Sequence, residues 1–340
     1  MKKHAIIPIF ISHRGCPHAC TFCNQKSITS RTGDVTVDQA RQVIEQHLTT
    51  LGDLPADNLE IAFYGGSFTG IPIDEQNAFL TLAASYKDAG KVGKIHMSTR
   101  PDYINEAILD NLKSFGVDTI ELGVQSFDEE VLRLCERGCT ADDARNASHL
   151  IKQYGFTLGI QLMVGLSGDS LDKCIYSAQE TVKLAPEIAR IYPTVVLQNT
   201  ALYDSYMAGS YTPLTEEDAI VRSKAIYEIL DDAGINIIRV GLKSSEIMNE
   251  QMAFHPAFRQ LVEDRIARER MERLLTEYLQ KNKEIPARVL FEANEKCYNN
   301  LFGHHAQNRI YFEEKYPELG FDYAVNPALA DNEYIIKETK

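Results

Sequence analysis

The chain has 340 residues, of which 44% are hydrophobic and 24% are charged, and its formal net charge is −13. This size and composition predict a globular protein with room for one large α/β barrel-type domain and an extension. No apolar run reaches the roughly 18–20 residues that a membrane-spanning helix needs. The negative charge argues against sequence-independent binding of nucleic acid over the whole surface, but it does not exclude a local basic cleft.

Strand-like apolar runs alternate with helix-like runs through most of the chain. This alternation predicts parallel strands joined by right-handed crossovers. With about six such units, we expect an α/β fold, an incomplete (β/α)6 TIM-like barrel whose chemistry gathers at the carboxyl ends of the strands. The predicted strands are 6–11, 59–64, 94–98, 119–124, 157–164, 188–197 and 236–242, and the predicted helices are 39–51 (capped at Thr36), 74–87, 105–115, 128–136, 141–154, 171–184 and 216–233.

The periodic pattern weakens after residue 243. A long charged amphipathic helix is predicted over 258–280, followed by a mixed tail from 285 to the end. We therefore predict two regions, a core barrel over 1–243 and a mainly helical C-terminal extension over 244–340. The extension would cap the barrel or contact substrate.

Three cysteines lie close together in the loop after the first predicted strand. Cys16, Cys20 and Cys23 have the spacing C-x3-C-x2-C, and Gly15 and Pro17 indicate a loop instead of a packed element. Cysteines this close cannot all pair with one another, and soft thiolate ligands favour iron–sulfur clusters, zinc or copper. A [4Fe-4S] cluster with three cysteine ligands would keep one iron open to a small molecule. A structural zinc site would need a fourth ligand, which His18 could supply.

The cysteine spacing, with an aromatic residue before the last cysteine, resembles that of the radical S-adenosylmethionine (SAM) enzymes. The resemblance implies that Cys16, Cys20 and Cys23 hold a [4Fe-4S] cluster and that SAM chelates the open iron. Gly65, Gly66 and Ser67 follow the second predicted strand. They are similar to the glycine-rich segment of that family, whose backbone meets the amino group of SAM.

Further segments are similar to the oxygen-independent coproporphyrinogen oxidase group and to the catalytic subunit of Elongator. In that group a Gln and an Arg contact SAM, and the matching residues here are Gln125 and Arg137. Ser98 stands where the related motif usually has a Glu that binds the ribose, so a weaker hydroxyl contact is implied. Gly165 begins a segment that resembles the one beside the adenine.

The order of several longer phrases most resembles the radical SAM half of Elongator's catalytic subunit, which modifies the wobble uridine of tRNA. That enzyme has an acetyltransferase domain after this region, whereas only about seventy residues follow here, too few for such a domain and its linker. Cys139 also stands where that enzyme has a His. The resemblance therefore implies an enzyme with radical SAM chemistry, a ferredoxin- or flavodoxin-type electron donor and, as a possible substrate, a tRNA base. A cytoplasmic location is expected from the cysteine usage.

Two other functions are compatible with these residues: a haem-transfer chaperone related to the coproporphyrinogen oxidase group, and a zinc-bound structural module. The remaining cysteines are predicted to be buried or incidental thiols; they are Cys135, Cys139, Cys174 and Cys297. A local basic track for RNA is predicted from Arg100, Arg190, Arg239, Lys243 and Arg259. The atom attacked, the fate of SAM and the oligomeric state are not predicted.

Overall fold

The structure, a computed structural model, describes residues 4–11, 15–16, 20–24, 35–52, 54–242, 255–282 and 286–338. The chain forms two compact units. Unit 1 comprises Met1–Ala219 with Ala225–Phe254, and unit 2 comprises Ile220–Lys224 with His255–Lys340. The predicted boundary between the barrel and the extension lies outside the described residues and stays a prediction. None of the described helices is long and apolar enough to cross a membrane.

Unit 1 is built on a seven-stranded sheet in which every pair of neighbours is parallel and the strands follow chain order. This arrangement confirms the predicted α/β fold of the incomplete-barrel type. The strands are β1 (Ala5–Ile11), β2 (Leu59–Gly65), β3 (Lys94–Thr99), β4 (Thr119–Gln125), β5 (Thr157–Val164), β6 (Ile188–Pro193) and β7 (Asn236–Val240).

The two faces of this sheet differ in chemistry because successive side chains of a strand point to opposite sides. One face is apolar and fully buried, as Ile7, Ile9 and Ile61 illustrate. The other face carries polar and charged side chains and is concave, since Arg190 of β6 reaches across to the hydroxyl of Tyr64 on β2. We call this second side the concave face. The sheet is therefore a curled half-barrel with a polar interior.

Helices connect the strands, and most begin at a side-chain cap. Thr36 and Gln39 form a reciprocal capping box at the first helix, which confirms the predicted cap. The α-helices in the described parts of the chain are α1 (Val37–Leu51), α2 (Ile73–Asp88), α3 (Glu106–Ser114), α4 (Glu129–Leu134), α5 (Ala141–Gln153), α6 (Leu171–Leu184), α7 (Ala201–Met207), α8 (Glu216–Asp232), α9 (Phe258–Lys281), α10 (Tyr298–Phe302) and α11 (Gln307–Lys315).

Two local predictions differ from the structure in the same region. The sixth strand was expected to reach residue 197, but β6 ends at Pro193. Proline cannot donate to a strand ladder, so it commonly marks the end of pairing. The following segment forms a buried loop that leads to α7, a helix the periodicity did not predict. At seven residues α7 is too short to show a repeating apolar face, although Thr200 caps it.

Unit 2 contains the predicted long helix, α9, and also a three-stranded sheet that the sequence pattern did not indicate. Its strands are β8 (Arg288–Ala293), β9 (Gly320–Val325) and β10 (Tyr334–Glu338), in the order β10-β8-β9. Met271 and Leu275 of α9 pack against Val289 and Phe291 of β8 in a separate apolar core. The extension is thus partly helical and has its own small core.

Asp264 is a buried carboxylate of unit 2. Asp264 of α9 accepts hydrogen bonds from Gln260 Nε2 at 2.6 Å and from His304 N at 2.7 Å. Burial raises the pKa of Asp264 to about 6, despite these two donors. Folding therefore takes up a proton at this position at pH values between the unfolded pKa of about 3.9 and the folded one.

This raised pKa predicts a pH dependence of stability. The contribution of protonated Asp264 is fully present below about pH 3.9 and is lost as the pH rises through about 6. Between pH 5 and 7 the free energy of unfolding should therefore fall by about 1 kcal/mol more in the parent than in Asp264→Asn. Urea unfolding of both proteins at pH 5, 6 and 7 measures this difference. The other titratable groups are the same in both proteins, so their contributions cancel in the comparison. Parallel pH curves for the two proteins would contradict it.

Candidate functional site

The cysteine loop, here residues 15–16 and 20–24, follows the carboxyl end of β1. Backbone hydrogen bonds attach it to two other parts of unit 1. Thr21 N donates to Cys135 O at 3.0 Å, and Thr21 O accepts from Leu202 N at 2.8 Å. The first bond joins the loop to the end of α4 and the second to the start of α7. The loop position is therefore set by elements far along the chain.

None of the seven cysteines forms a disulfide. Cys20 is buried, whereas Cys16 and Cys23 are partly exposed. Burial raises the pKa of the Cys16 thiol, and the positive charges of Arg137 and Arg100 act in the opposite direction. In the part of the chain that the structure describes, no three Cys, His, Asp or Glu side chains are gathered as a metal site. The ligand role of the three cysteines therefore stays a prediction.

Gly15 brings the cysteine loop into backbone contact with the segment that follows β2. Its φ is +73°, and a Cβ at this position would overlap Ser67 O and lie 2.7 Å from Gly70 C. A Cβ on Gly70 would in turn overlap Gly15 O. Only glycine fits such a close approach of two backbones. The structure thus places the cysteines beside the predicted glycine-rich segment.

Arg137 joins the cysteine loop to the end of β4. Its Nη1 donates to Cys20 Sγ at 3.4 Å, and its Nη2 donates to Gly123 O. A Cβ on Gly123 would lie 2.9 Å from Gln125 Nε2 and 3.2 Å from Arg137 Nη2. Gln125 itself has a φ of +72°, a strained value for a residue that is not glycine. Two predicted SAM contacts, Gln125 and Arg137, therefore lie near each other, and Arg137 also contacts Cys20.

Two polar atoms of this group have no hydrogen-bond partner among the described residues. They are Arg137 Nε, a donor, and Gln125 Oε1, an acceptor, and both are buried. A buried polar atom without a partner is costly, so such a pair indicates a ligand that offers both an acceptor and a donor. The carboxylate and amino groups of SAM have this chemistry. The residues present therefore fit the cofactor that the sequence implies.

Ser67 is a predicted contact whose side chain is used within the protein. It is 1% exposed, and its Oγ lies 2.8 Å from Thr99 Oγ1 and accepts from Arg100 N at 3.2 Å. These bonds tie the end of β2 to the end of β3. Only the backbone of the Gly65, Gly66 and Ser67 segment is left to meet a ligand, as the resemblance implied.

The two other predicted contacts lie at strand ends of unit 1. Ser98 is on the concave face, paired in register with Glu121, and its hydroxyl makes no hydrogen bond within the described residues. Gly165 has a φ of +83°. Its carbonyl accepts from Tyr211 Oη at 2.6 Å, and its N–H donates to Asp169 Oδ2 at 2.7 Å. The backbone of Gly165 is thus already hydrogen-bonded, and its role toward adenine stays a prediction.

The concave face also carries a buried charge network that was not predicted from the sequence, which we call the Glu–His–Glu–Arg network. His96 Nδ1 lies 3.0 Å from Glu60 Oε2, and His96 Nε2 lies 3.1 Å from Glu121 Oε1. Arg190 Nε donates to Glu121 Oε1 at 2.8 Å. His96 and Glu121 are each 1% exposed. The network therefore links β2, β3, β4 and β6 through charges that are removed from water.

In this network, neighbouring groups of opposite charge offset the effect of burial on each pKa. Burial alone would lower the pKa of His96, but Glu121 and Glu60 raise it above its ordinary value. Burial would raise the pKa of Glu121, but His96 and Arg190 hold it below its usual range. The two carboxylates thus face the guanidinium of Arg190 and a histidine whose protonated form they favour. A period-two alternation of apolar residues with Glu60, His96 and Glu121 could have indicated a polar face, but not which residues meet.

The fold and the site define a class of protein: an α/β half-barrel with a cysteine loop at the carboxyl ends of its strands. The Radical SAM superfamily model matches residues 10–180, and a Radical_SAM C-terminal domain matches residues 186–268. The chain therefore belongs to the Radical SAM superfamily. The predicted cofactors, a [4Fe-4S] cluster and SAM, are those of this superfamily, and the assignment as an enzyme is confirmed at this level.

Two curated relatives confirm the resemblance to Elongator's catalytic subunit. A tRNA uridine(34) acetyltransferase of Methanocaldococcus infernus is 30% identical over an alignment of 257 positions, and the match covers 64% of this chain and 48% of the relative. Elongator complex protein 3 of Schizosaccharomyces pombe is 26% identical over an alignment of 298 positions, and the match covers 72% of this chain and 54% of the relative. The chain spans about half the length of these curated relatives.

A solved structure supports the fold. The archaeal Methanocaldococcus infernus Elp3 with an N-terminal deletion superposes with a TM-score of 0.66 at 23% sequence identity. The match covers 78% of this chain and 63% of the archaeal chain.

Proposed function

We propose that this protein binds a [4Fe-4S] cluster through Cys16, Cys20 and Cys23, cleaves SAM reductively at it, and acts on a base of tRNA. The observation that carries the cofactor part is the pair of buried, unpartnered polar atoms next to Cys20, Gln125 Oε1 and Arg137 Nε. The proposed cytoplasmic location rests on cysteines that are not joined in disulfides.

When bound, the reduced cluster and SAM supply a radical that abstracts hydrogen. The protein residues would orient the cofactors. Arg137 connects Cys20 Sγ to Gly123 O and so fixes one ligand relative to the end of β4. Its Nε would bind the carboxylate of SAM, and Gln125 Oε1 would accept from the amino group. The partial exposure of Cys16 and Cys23 suits electron delivery by a ferredoxin- or flavodoxin-type protein.

The tRNA part of the proposal rests on the names of the relatives and not on a basic surface. The predicted basic track is wrong for Arg100 and Arg190. Both are buried, and they pair with the carboxylates of Asp102 and Glu121, respectively. Lys243 lies outside the described residues. Contacts to tRNA phosphates would therefore have to come from other residues. Because the net charge is −13, these residues would form a small basic region and not a broad basic surface.

The test is cleavage of SAM by the anaerobically reconstituted protein. After reduction with dithionite the parent should form 5′-deoxyadenosine, and added tRNA should increase the yield. Cys20→Ala should reduce the product to background, because one of three predicted ligands is lost. Cys297→Ala, which removes a buried thiol of unit 2, is the matched control and should retain the activity.

Each failure of this assay has a distinct meaning. A cluster that assembles while SAM stays intact with every reductant would overturn the enzymatic proposal, and a Soret band on adding haem would then favour a haem chaperone. A colourless protein with one zinc would favour a structural zinc module. Cleavage that tRNA leaves unchanged would overturn only the RNA part.

A further inference from the structure

The Glu–His–Glu–Arg network orients two tyrosine hydroxyls on the concave face. Arg190 Nη2 donates to Tyr64 Oη at 2.5 Å, and Arg190 Nη1 donates to Tyr192 Oη at 3.4 Å. The guanidinium also lies 4.8 Å from the centre of the Tyr64 ring. Because Glu121 holds Arg190 Nε, the guanidinium is fixed with its other two nitrogens toward the phenols.

This arrangement determines how each phenol can bond further. A guanidinium has only donors, so both phenol oxygens must accept from Arg190. Each phenol therefore keeps its O–H to donate elsewhere. Within the described residues neither O–H finds an acceptor. Both pKa values are raised, above all by burial, so the phenols keep these protons at neutral pH.

Arg239 adds a cation close to Tyr192. It pairs in register with Arg190 on the neighbouring strand β7, and its charge acts on Tyr192. Its Nε donates to Gly241 O at 3.1 Å, and among the described residues it forms no ion pair with a carboxylate. Neither carboxylate of the network is available to pair with Arg239, because Glu60 already contacts His96 and Glu121 already contacts Arg190.

We infer that the concave face holds an anion site in which Arg239 and the hydroxyls of Tyr64 and Tyr192 bind a carboxylate or phosphate group of a substrate. Two phenol O–H donors without an acceptor and a guanidinium without a carboxylate partner among the described residues are complementary to the oxygens of such a group. A neutral amide or carbonyl would leave the charge of Arg239 unmatched. The inference goes beyond the proposed function and uses it only in treating the concave face as the substrate side.

The position of the donors suits this role. Tyr64 and Tyr192 lie near the carboxyl ends of β2 and β6, and Tyr64 pairs with Phe10 in register, one residue before the end of β1. The charge network lies deeper, toward the amino ends of the strands. An anion bound by these donors would thus lie on the same side as the cysteine loop, which follows β1.

The test is anion binding by the reconstituted full chain, without SAM turnover or RNA. Sodium acetate and inorganic phosphate are titrated separately at constant ionic strength, and the midpoint of thermal unfolding gives an apparent Kd. Acetamide is the neutral control for acetate. Near-ultraviolet difference spectra report directly on tyrosines, since the chain has no Trp.

At least one anion should stabilise the parent saturably, whereas acetamide should not. Arg239→Gln should weaken binding roughly 10- to 100-fold, and Tyr192→Phe and Tyr64→Phe about 10-fold each, because hydrogen bonds to a charged group are lost. Arg239→Lys keeps the charge without the planar fork and should bind with intermediate affinity. The exposed controls Arg133→Gln and Tyr206→Phe should bind as the parent does.

Binding of acetate alone would assign a carboxylate, and binding of phosphate alone would assign a phosphate. The inference is overturned if neither anion has a saturable effect, if acetamide acts like acetate, or if Arg239→Gln binds as the parent does. Because the assay needs neither SAM nor tRNA, these failures are distinguishable from a failure of the proposed function.

Discussion

Glu121→Gln should lower the free energy of unfolding by about 3–5 kcal/mol, which is the usual cost of removing one partner from a buried ion pair. Glu121 is 1% exposed and touches three partners: Arg190 at 2.8 Å, His96 at 3.1 Å and Gln161 at 2.7 Å. Glutamine keeps the shape of the side chain but removes the charge. Arg190 cannot lose its proton and would be left buried without its counter-charge. Chemical denaturation of parent and variant measures the loss.

The matched control for this prediction is Glu130→Gln. Glu130 pairs with Lys173 at 2.6 Å, but its side chain is 60% exposed. Exposed pairs contribute roughly 0–1 kcal/mol, so the control should be nearly neutral. If the two variants lost similar amounts of stability, the Glu–His–Glu–Arg network would not be the desolvated ion-pair system that its burial indicates.

Gly15→Ala should remove most of the iron from the anaerobically reconstituted protein and destabilise it by about 2–4 kcal/mol, by adding backbone strain to overpacking. A Cβ at Gly15 would overlap Ser67 O and lie 2.8 Å from Ile71 N, and both are backbone atoms that cannot rotate away. The loop would have to move, and with it Cys16, the next residue. Iron and acid-labile sulfide per chain measure the effect.

Gly209→Ala separates the two causes. Gly209 has the same φ of +73° as Gly15, but a Cβ there would meet no atom within 4 Å. This control therefore carries the strain of a positive φ, about 1–2 kcal/mol, without the clash. It should bind as much iron as the parent. Equal iron content in Gly15→Ala and Gly209→Ala would show that the contact between the two loops does not matter for the cluster.

Much of the barrel could be predicted because its signals are local. β5 and α6 have the predicted bounds, residues 157–164 and 171–184, since a period-two apolar run and a capped amphipathic run are visible within a few residues. The three-stranded sheet of unit 2 was missed for the opposite reason. β8 pairs with β10, and the paired residues are more than forty positions apart in the chain. Short strands that are not joined by a tight hairpin carry little local signal.

The sequence by itself determined the alternating α/β fold, the cysteine spacing and the family, because ligand spacing and strand periodicity are properties of short segments. Only the tertiary structure decided that Gly15 meets Gly70, that Arg137 meets Cys20, and that Ser67 turns its hydroxyl inward. It also decided that Arg190 contacts Tyr64, 126 residues earlier in the chain. Such contacts depend on how strongly the sheet curls, and that curl results from packing over the whole unit, which no single segment encodes.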